Sequence, residues 1–166
     1  MLVGLMSDTH DNLPMVDRAV ELFNEKKVEV VLHAGDYVSP FVIPRFGALR
    51  AKLIGVFGNN DGDHEFLRRR FSENKRLEIR GGFAKIVLGG AKIAMLHGHD
   101  EELLKALVDS GGFDVVVHGH GHDAKVSRAG STLVVNPGEV CGYLTGKPTV
   151  ALFDTEKLEA RILELR

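Results

Sequence analysis

The sequence predicts an α/β fold in which a sheet is covered on both faces. Short apolar runs at 1–6, 28–33 and 51–57 are typical of buried strands. Segments with helical signals lie between these runs, and turns containing glycine, proline or asparagine separate the two kinds of segment. Buried strands that alternate with helices are the pattern of this class.

Three regular helices and one irregular helical segment are predicted. Asn12 can cap the first helix, which has Pro14 in its first turn. The apolar stripe of this helix consists of Val16, Ala19, Val20 and Phe23. An irregular segment with two prolines is expected at 40–49, and regular helices at 63–72 and 100–109. The last helix is expected to face the core with Leu103, Leu104 and Leu107.

The second half of the chain is rich in predicted strands. Two strands with alternating apolar residues at 83–96 turn around Gly89 and Gly90, which indicates a hairpin. A buried strand is predicted at 114–118, within the run Asp-Val-Val-Val-His. Four short segments follow, beginning at residues 124, 131, 149 and 158, with turns between them. The chain therefore ends in a β-rich tail.

Length, composition and charge narrow the class of protein. The chain has 166 residues, enough for one domain (1–166) with a sizeable core, and its 44% hydrophobic and 27% charged residues are those of a soluble globular protein. The net charge of −2 gives no strong signal for nucleic-acid or anionic-membrane binding. Cys141 is the only cysteine, which excludes internal disulfides and cysteine-based zinc sites. Without a signal peptide or a membrane-spanning run, a cytoplasmic protein is expected.

Polar side chains follow five of the predicted strands, at the point where each strand ends. They are Asp8, His10, Asp36, Asn59, His97, His120 and His122. Ligand sites in open α/β sheets gather outside the carboxyl ends of the strands. Glycines at 35, 58, 98, 119 and 121 flank these residues and let the backbone turn sharply and approach a bound group. We therefore expect five chain segments to deliver these side chains to one place.

This set of side chains indicates a metal site. Carboxylate, imidazole and amide oxygen together suit Mn²⁺, Zn²⁺, Fe²⁺ or Ni²⁺. Seven ligands exceed the needs of one ion, and a shared carboxylate can hold two ions about 3.5–4 Å apart, the spacing used in phosphoryl displacement. A lone D-x-H or H-x-H is weak evidence, because most such pairs are structural. The prediction depends on all five groups occurring together at strand ends.

Five short motifs, in this order, resemble those of the calcineurin-like metallophosphoesterases. They are D-x-H, G-D, G-N-x-D, H-G-H and G-H-x-H, beginning at residues 8, 35, 58, 97 and 119. The match runs from residue 7 to about residue 140, and the chain length resembles that of the small single-domain phosphodiesterase branch. The resemblance implies a four-layer α/β/β/α sandwich of two packed sheets. It also implies a dinuclear centre in which Asp36 bridges the ions, with Asp8, His10 and His122 completing one site and Asn59, His97 and His120 the other.

The resemblance implies a metal-dependent phosphoesterase that acts on a small phosphodiester substrate. A hydroxide that bridges two divalent ions is expected to attack phosphorus in line with the leaving oxygen. Mn²⁺ or Ni²⁺ is the expected metal, with Zn²⁺ and Fe²⁺ as alternatives. The competing interpretation is a non-catalytic scaffold of the retromer-subunit type on the same fold. The sequence argues against it, because all seven ligand positions are intact. The net charge disfavours a nuclease. The sequence leaves open whether the chain forms a homo-oligomer.

Two further residues are candidates for a catalytic role. Many members of the family carry histidine at the position of Asn60, where it stabilises the transition state or protonates the leaving group. An amide can donate a hydrogen bond but cannot act as an acid near neutral pH. His99, two residues after His97, either lines the substrate pocket or lies on a surface loop.

Other polar residues near the motifs have structural explanations. His118 continues the valine run, so a half-buried histidine with one hydrogen bond is expected instead of a third ligand. His33 either orients a metal ligand or is a core histidine. Asp61 either makes hydrogen bonds within its own loop or supports the site. The segment 136–148 resembles a family loop near the active site, but no ligand is assigned to it. Cys141 within it is expected to be a packed small side chain.

Overall fold

A computed structural model describes all 166 residues and contains eleven strands and three α-helices. The strands are β1 (Leu2–Met6), β2 (Val30–His33), β3 (Lys52–Gly55), β4 (Leu77–Ile79), β5 (Phe83–Leu88), β6 (Ala91–Leu96), β7 (Val115–Val117), β8 (Lys125–Ala129), β9 (Thr132–Asn136), β10 (Thr149–Asp154) and β11 (Glu159–Glu164). The helices are α1 (Leu13–Glu25), α2 (His64–Ser72) and α3 (Glu101–Asp109), with a 3₁₀ helix at Pro40–Ala48.

The strands form two mixed sheets. The first has the order β11-β10-β1-β2-β3-β4, and β1 to β4 run parallel. The second has the order β5-β6-β7-β9-β8, with β6, β7 and β9 parallel and the two outer strands antiparallel. Because parallel strands end at the same edge of a sheet, the loops after β1, β2 and β3 share one edge, as do those after β6 and β7.

Three apolar layers hold the sheets and helices together. The first sheet packs α1, α2 and the 3₁₀ helix on its outer face. The two inner faces meet in a second layer, and α3 covers the outer face of the second sheet. Strand β7 shows the alternation directly, because Val115 and Val117 face the first sheet while Val116 faces α3. The predicted four-layer sandwich is confirmed.

The helices begin and pack largely as the sequence predicts. All four stripe residues of α1 are buried. Asn12 occupies the N-cap position, but its side chain makes no capping bond and donates instead to the carbonyl of Cys141, 2.8 Å away. This bond ties the start of α1 to the segment after β9. None of the helices has the length and apolar character needed to cross a membrane.

Two local predictions differ from the structure. Leu103 is not a core residue, because its side chain is 42% exposed. The apolar side of α3 is formed by Leu104, Leu107 and Val108, at the i, i+3, i+4 spacing of one helix face, and Leu103 lies beside it. The sequence analysis also missed β4, a three-residue edge strand whose central Glu78 interrupts the apolar pattern.

Candidate metal centre

Five of the seven predicted ligands meet where β1, β2, β6 and β7 end. The Oδ1 atom of Asp8 lies 3.4 Å from Nε2 of His122, 3.7 Å from Nε2 of His10 and 4.0 Å from Nε2 of His97. The Oδ2 atom of Asp36 lies 3.4 Å from Nε2 of His10 and 3.3 Å from Nε2 of His97. Two carboxylates and three imidazoles therefore converge from four separate chain segments.

Three of the converging atoms have no hydrogen-bond partner. Asp8 Oδ1, His10 Nε2 and His97 Nε2 are all buried and unpaired. Unpaired buried polar atoms are costly and rare, and each one in a folded protein requires an explanation. These three face one another, and their oxygen and imidazole nitrogen atoms are ligands that borderline divalent ions accept. The side chains present therefore fit a divalent cation bound between them.

Two of the histidines are held so that Nε2 faces the other ligands. Nδ1 of His97 lies 2.8 Å from the carbonyl oxygen of Ala34. A carbonyl oxygen can only accept, so Nδ1 carries the hydrogen and Nε2 keeps its lone pair. Nδ1 of His122 likewise lies 2.7 Å from the carboxylate of Glu139. Metal-binding histidines commonly use such partners to fix the ring and its tautomer.

The carboxylates of the site shift the pKa values of the histidines beside them. Burial by itself raises the pKa of Asp36, but the nearby imidazole of His97 and the hydrogen bonds from Asn60 outweigh it and hold the pKa well below its usual range. The nearby carboxylate of Asp8 raises the pKa of His10. Burial opposes charge on His97, but Asp36 and Asp8 still raise its pKa. The site thus attracts positive charge, and a metal ion has to displace protons to bind there.

The backbone around the site is held in an unusual conformation. Five of the nine non-glycine residues with positive φ are predicted ligands. They are Asp8 (54°), His10 (38°), Asp36 (62°), His120 (64°) and His122 (58°). A left-handed conformation is disfavoured for residues with a Cβ atom and is concentrated at functional sites. The loops after the strands therefore carry strain at the residues whose side chains converge.

Two of the predicted glycines allow close approach to the carboxylates. A Cβ atom on Gly58 would lie 2.1 Å from Oδ1 of Asp36, and one on Gly119 would lie 2.6 Å from Oδ2 of Asp8. Real side chains do not approach so closely, so only glycine fits at these positions. This agrees with the expectation that glycine is needed where the loops pack against the site.

Asp61 fixes the shape of two loops that carry predicted ligands. Its carboxylate accepts hydrogen bonds from the backbone N–H groups of Asp36 (3.1 Å), Tyr37 (2.6 Å), Val38 (2.8 Å) and Gly58 (2.7 Å). The side chain is 6% exposed, so water does not replace these bonds. Of the two alternatives left by the sequence, the structure places Asp61 in support of the site and not only of its own loop.

His33 has a similar structural position behind the site. It is fully buried and stacks on Tyr37 at a ring distance of 3.9 Å. Its Nδ1 accepts the N–H of Gly35, 3.1 Å away, and its Nε2 lies 3.3 Å from the Thr9 hydroxyl. Burial lowers the pKa of His33 to about 3, so the ring is neutral. His33 is a core histidine that braces the loops after β1 and β2.

Comparison with known proteins identifies the family. Residues 1–158 match the calcineurin-like phosphoesterase superfamily domain. The chain belongs to the calcineurin-like phosphoesterase family. It is 43% identical to "Phosphodiesterase MJ0936" of Methanocaldococcus jannaschii over 99% of both chains. A solved structure described as a novel archaeal phosphodiesterase has a TM-score of 0.95, 43% identity and coverage of 99% of this chain and 100% of its own.

The fold also occurs in solved structures of low sequence identity to this chain. A structure of Vps29 from Entamoeba histolytica, complexed with Zn²⁺, has a TM-score of 0.71 and covers 100% of both chains. It is 19% identical to this chain, so this likeness concerns the fold alone. The calcineurin-like phosphoesterase family implies divalent metal ions, and Asp8, Asp36 and His97 form a buried group that could hold one.

The two remaining predicted ligands lie at the exposed side of the site. His120 is exposed, its backbone N–H donates to Oδ2 of Asp8 at 3.2 Å, and its ring lies 5.2 Å from that of His97. Asn59 is exposed and its side chain makes no hydrogen bond. The structure therefore brings His120 beside the five converging side chains, and it leaves Asn59 without a contact that ties it to them.

The two candidate catalytic residues lie on different sides of the site. The backbone N–H of Asn60 donates to Oδ1 of Asp36 at 2.9 Å, and its side-chain Nδ2 donates to Oδ2 at 2.7 Å. Asn60 thus holds both oxygens of the predicted bridging carboxylate. His99 is exposed, with its ring 5.7 Å from that of His97 and 6.2 Å from that of His120. The catalytic roles of both residues stay predictions.

His118, the histidine that the motif leaves out, has the position expected from the sequence. It is half-buried, and its Nδ1 makes one contact, 3.1 Å from the carbonyl oxygen of Gly119. Its backbone N–H donates to Val135, so it continues the pairing of β7 with β9. Burial lowers the pKa of His118. The structure gives it no contact with the converging carboxylates.

Glu139 is a residue of the site that the sequence analysis missed. It is buried next to His122, and it is the only charged residue of the segment 136–146. Burial raises its pKa, but hydrogen bonds from His122, Thr145 and Cys141 reverse this effect and lower the pKa to about 2. A lone carboxylate in an otherwise uncharged turn was the available signal. Cys141 is buried as expected, and burial raises the pKa of its thiol to about 12.

Proposed function

We propose that this chain is a metal-dependent phosphodiesterase whose site holds two divalent ions. The observation that carries the proposal is the set of three buried, unpaired atoms that face one another, on Asp8, His10 and His97. The name of the relative from Methanocaldococcus jannaschii supports the reaction type. Asp8, His10, Asp36 and His122 would hold one ion, and Asp36, Asn59, His97 and His120 the other.

The proposed reaction is hydrolysis by direct attack of water, and Asn60 and Cys141 bear on it. When bound, two divalent ions would acidify a water as nucleophile and would supply positive charge for the phosphate oxygens, which would allow attack in line with the leaving oxygen. Asn60 holds Asp36 in place through both oxygens. The strongly buried Cys141 has a raised pKa, so its protonated thiol is no nucleophile. Direct attack by water, without a covalent enzyme intermediate, is therefore the proposed reaction.

The ligand set favours borderline divalent ions. Four of the seven proposed ligands are imidazoles, which suit Mn²⁺ or Ni²⁺ better than Mg²⁺. Zn²⁺ and Fe²⁺ are the alternatives with the same ligand preference. The proposed substrate is a small phosphodiester.

The non-catalytic scaffold remains the second candidate, because structures named for vacuolar protein sorting and not for a reaction share this fold. A scaffold has no need to keep buried polar atoms unpaired, since apolar replacements or hydrogen bonds remove their cost. This chain keeps Asp8, His10 and His97 unpaired in a strained loop environment. That arrangement favours a metal-binding site, and the 43% identical relative named a phosphodiesterase favours the enzyme over a scaffold that binds metal.

The test is hydrolysis before and after removal of metal. The chain is stripped with a chelator, reconstituted with Mn²⁺, Ni²⁺ or Mg²⁺, and assayed on cyclic nucleotides, dinucleotides, phospholipid diesters and monoesters. Loss of activity on stripping, recovery with Mn²⁺ or Ni²⁺, and weak recovery with Mg²⁺ are expected on at least one diester. His118→Ala is the matched control and should respond to metal as the wild type does. Full activity with no metal left, or no hydrolysis under any metal, would overturn the proposal.

A further inference from the structure

Glu139 makes a larger set of contacts than any other carboxylate near the site. Its side chain is fully buried although it lies in a turn. Its oxygens contact His122 Nδ1 (2.7 Å), Cys141 Sγ (3.1 Å), Leu144 N (3.0 Å), Thr145 N (2.6 Å) and Thr145 Oγ1 (2.8 Å). One oxygen therefore faces a predicted metal ligand, and the other is bound by the turn at 142–146.

Glu139 meets His122 beyond the end of the β8–β9 hairpin. Strands β8 and β9 pair as far as Lys125 and Asn136. His122 and Glu139 are each three residues beyond this last pair, where the chain has left the strands and His122 and Gly138 have positive φ. The hairpin thus brings the two segments side by side, and the loops after it bring the two side chains into contact.

The contact selects one tautomer of His122. A carboxylate can only accept, so the hydrogen lies on Nδ1, and Nε2 presents its lone pair toward Asp8 Oδ1, 3.4 Å away. His97 uses a neutral backbone carbonyl for the same purpose. A carboxylate partner is charged, so its hydrogen bond to His122 is stronger than the one that His97 makes to a neutral carbonyl.

The same carboxylate fixes the turn that borders the site. Leu144 and Thr145 donate their backbone N–H groups to it, while Tyr143 and Leu144 expose 63% and 75% of their surface. The backbone of Cys141 is bound to Asp8, which joins this turn to the loop after β1. A change in the position of Glu139 therefore affects both the imidazole and the turn.

We infer that Glu139 is a positioning residue that orients His122 for metal binding and couples it to the turn at 142–146. This inference rests on the proposed function, because it takes His122 as a ligand of one of two ions. Glu139 contacts none of the ligands assigned to the other ion. Its loss should therefore affect one binding event and leave the second nearly unchanged.

The first test is calorimetric titration of the metal-stripped chain with Mn²⁺. Glu139→Ala should weaken one of two binding events by about 10–100-fold, as is usual when the partner of a ligating histidine is removed. Glu139→Gln, whose amide oxygen can still accept from Nδ1, should weaken it less. Thr145→Val removes one other contact of the carboxylate and is the matched control, with wild-type affinities expected.

The second test reads the tautomer without metal. Long-range ¹H–¹⁵N correlation spectra of the stripped chain at pH 8 should show His122 as the Nδ1–H form in the wild type. In Glu139→Ala the two tautomers should mix. A merely structural role would leave this signature unchanged, and it would weaken both Mn²⁺ events together.

The outcomes separate this inference from the proposed function. Two wild-type binding events in Glu139→Ala, or an unchanged tautomer, would overturn the role of Glu139 and leave the enzyme proposal intact. Failure of the wild type to bind Mn²⁺ would overturn the proposed function itself. If Glu139→Ala does not fold, Glu139→Gln decides by the titration alone, because its amide oxygen can still hold the Nδ1–H tautomer but lacks the charge, and wild-type affinity in both binding events would overturn the inference.

Discussion

Asp61 and Glu139 are both buried carboxylates beside the candidate metal centre, but they bind different groups. Asp61 accepts only backbone N–H groups, four of them, from the loops after β2 and β3. Glu139 accepts from the imidazole of His122 and from an exposed turn. Asp61 fixes the shape of two loops, and Glu139 orients one predicted ligand. Loss of the first should therefore cost stability, and loss of the second should cost metal affinity.

The largest expected effect is the loss of stability in Asp61→Ala. This change leaves four largely buried N–H groups without an acceptor, at about 1–3 kcal/mol for each group that water does not reach. We expect on the order of 4 kcal/mol of lost stability, measured by urea unfolding of the metal-stripped chain. Glu139→Ala is the matched variant and should lose less, because water can bind the amides of its exposed turn. Equal losses in the two variants would remove the distinction between them.

His120 and His118 extend the same contrast within one segment. His120→Ala should remove a proposed ligand and lower the rate of diester hydrolysis by about 10²-fold or more, with the fold retained. His118→Ala should mainly lower stability, as truncation of a half-buried side chain does. Metal content and turnover are measured for both variants. If His118→Ala loses metal while His120→Ala keeps it, the assignment is wrong.

The pH dependence of stability tests whether His33, like Asp61, has a structural role. Its folded pKa of about 3 lies below the ordinary value of 6.5, so the unfolded chain binds a proton that the folded chain excludes. The stability from this residue is present above about pH 6.5 and is lost as pH falls toward 3. His33→Asn, whose side chain does not titrate, should remove about 2 kcal/mol of the pH dependence between pH 6.5 and pH 5. Urea unfolding of both metal-stripped proteins at several pH values checks this, and parallel curves would contradict it.

The smallest expected effect concerns Asn60 and the leaving group. Because no imidazole acid stands at this position, esters of acidic phenols should be cleaved much faster than alkyl esters, with a steep dependence on leaving-group pKa. Asn60→His should flatten that dependence and change the rate of poor leaving groups by about tenfold or less. A flat series in the wild type, with chemistry rate-limiting, would show that another group donates the proton. A steep series that appears only in His99→Ala would identify that group as His99.

Much of the fold followed from periodicity because the buried strands are continuous apolar runs. The helix α1 and the hairpin of β5 and β6 appear where the pattern places them. Strand β4 could not be predicted in the same way, because its pairing with β3 and not its own pattern makes it a strand. Leu103 was placed wrongly because three neighbouring leucines do not by themselves show which of two helix faces is buried.

The candidate site was predicted in part, from residues that follow strand ends. That rule found Asp8, Asp36 and His97 because parallel strands deliver their ends to one edge. It could not find Glu139, which lies beyond the end of β9 and meets His122 in the loops that follow the β8–β9 hairpin. His122 and Gly138 have positive φ there, so no strand pattern indicates the contact.

The central claim is that two divalent ions per chain make this protein a phosphodiesterase. The most direct measurement is the rate of diester hydrolysis by the metal-stripped chain as Mn²⁺ is added in known equivalents at high protein concentration. Activity should rise from background and level off at two equivalents per chain, because both proposed sites must be filled. Full activity without added metal, or a plateau at one equivalent, would contradict it.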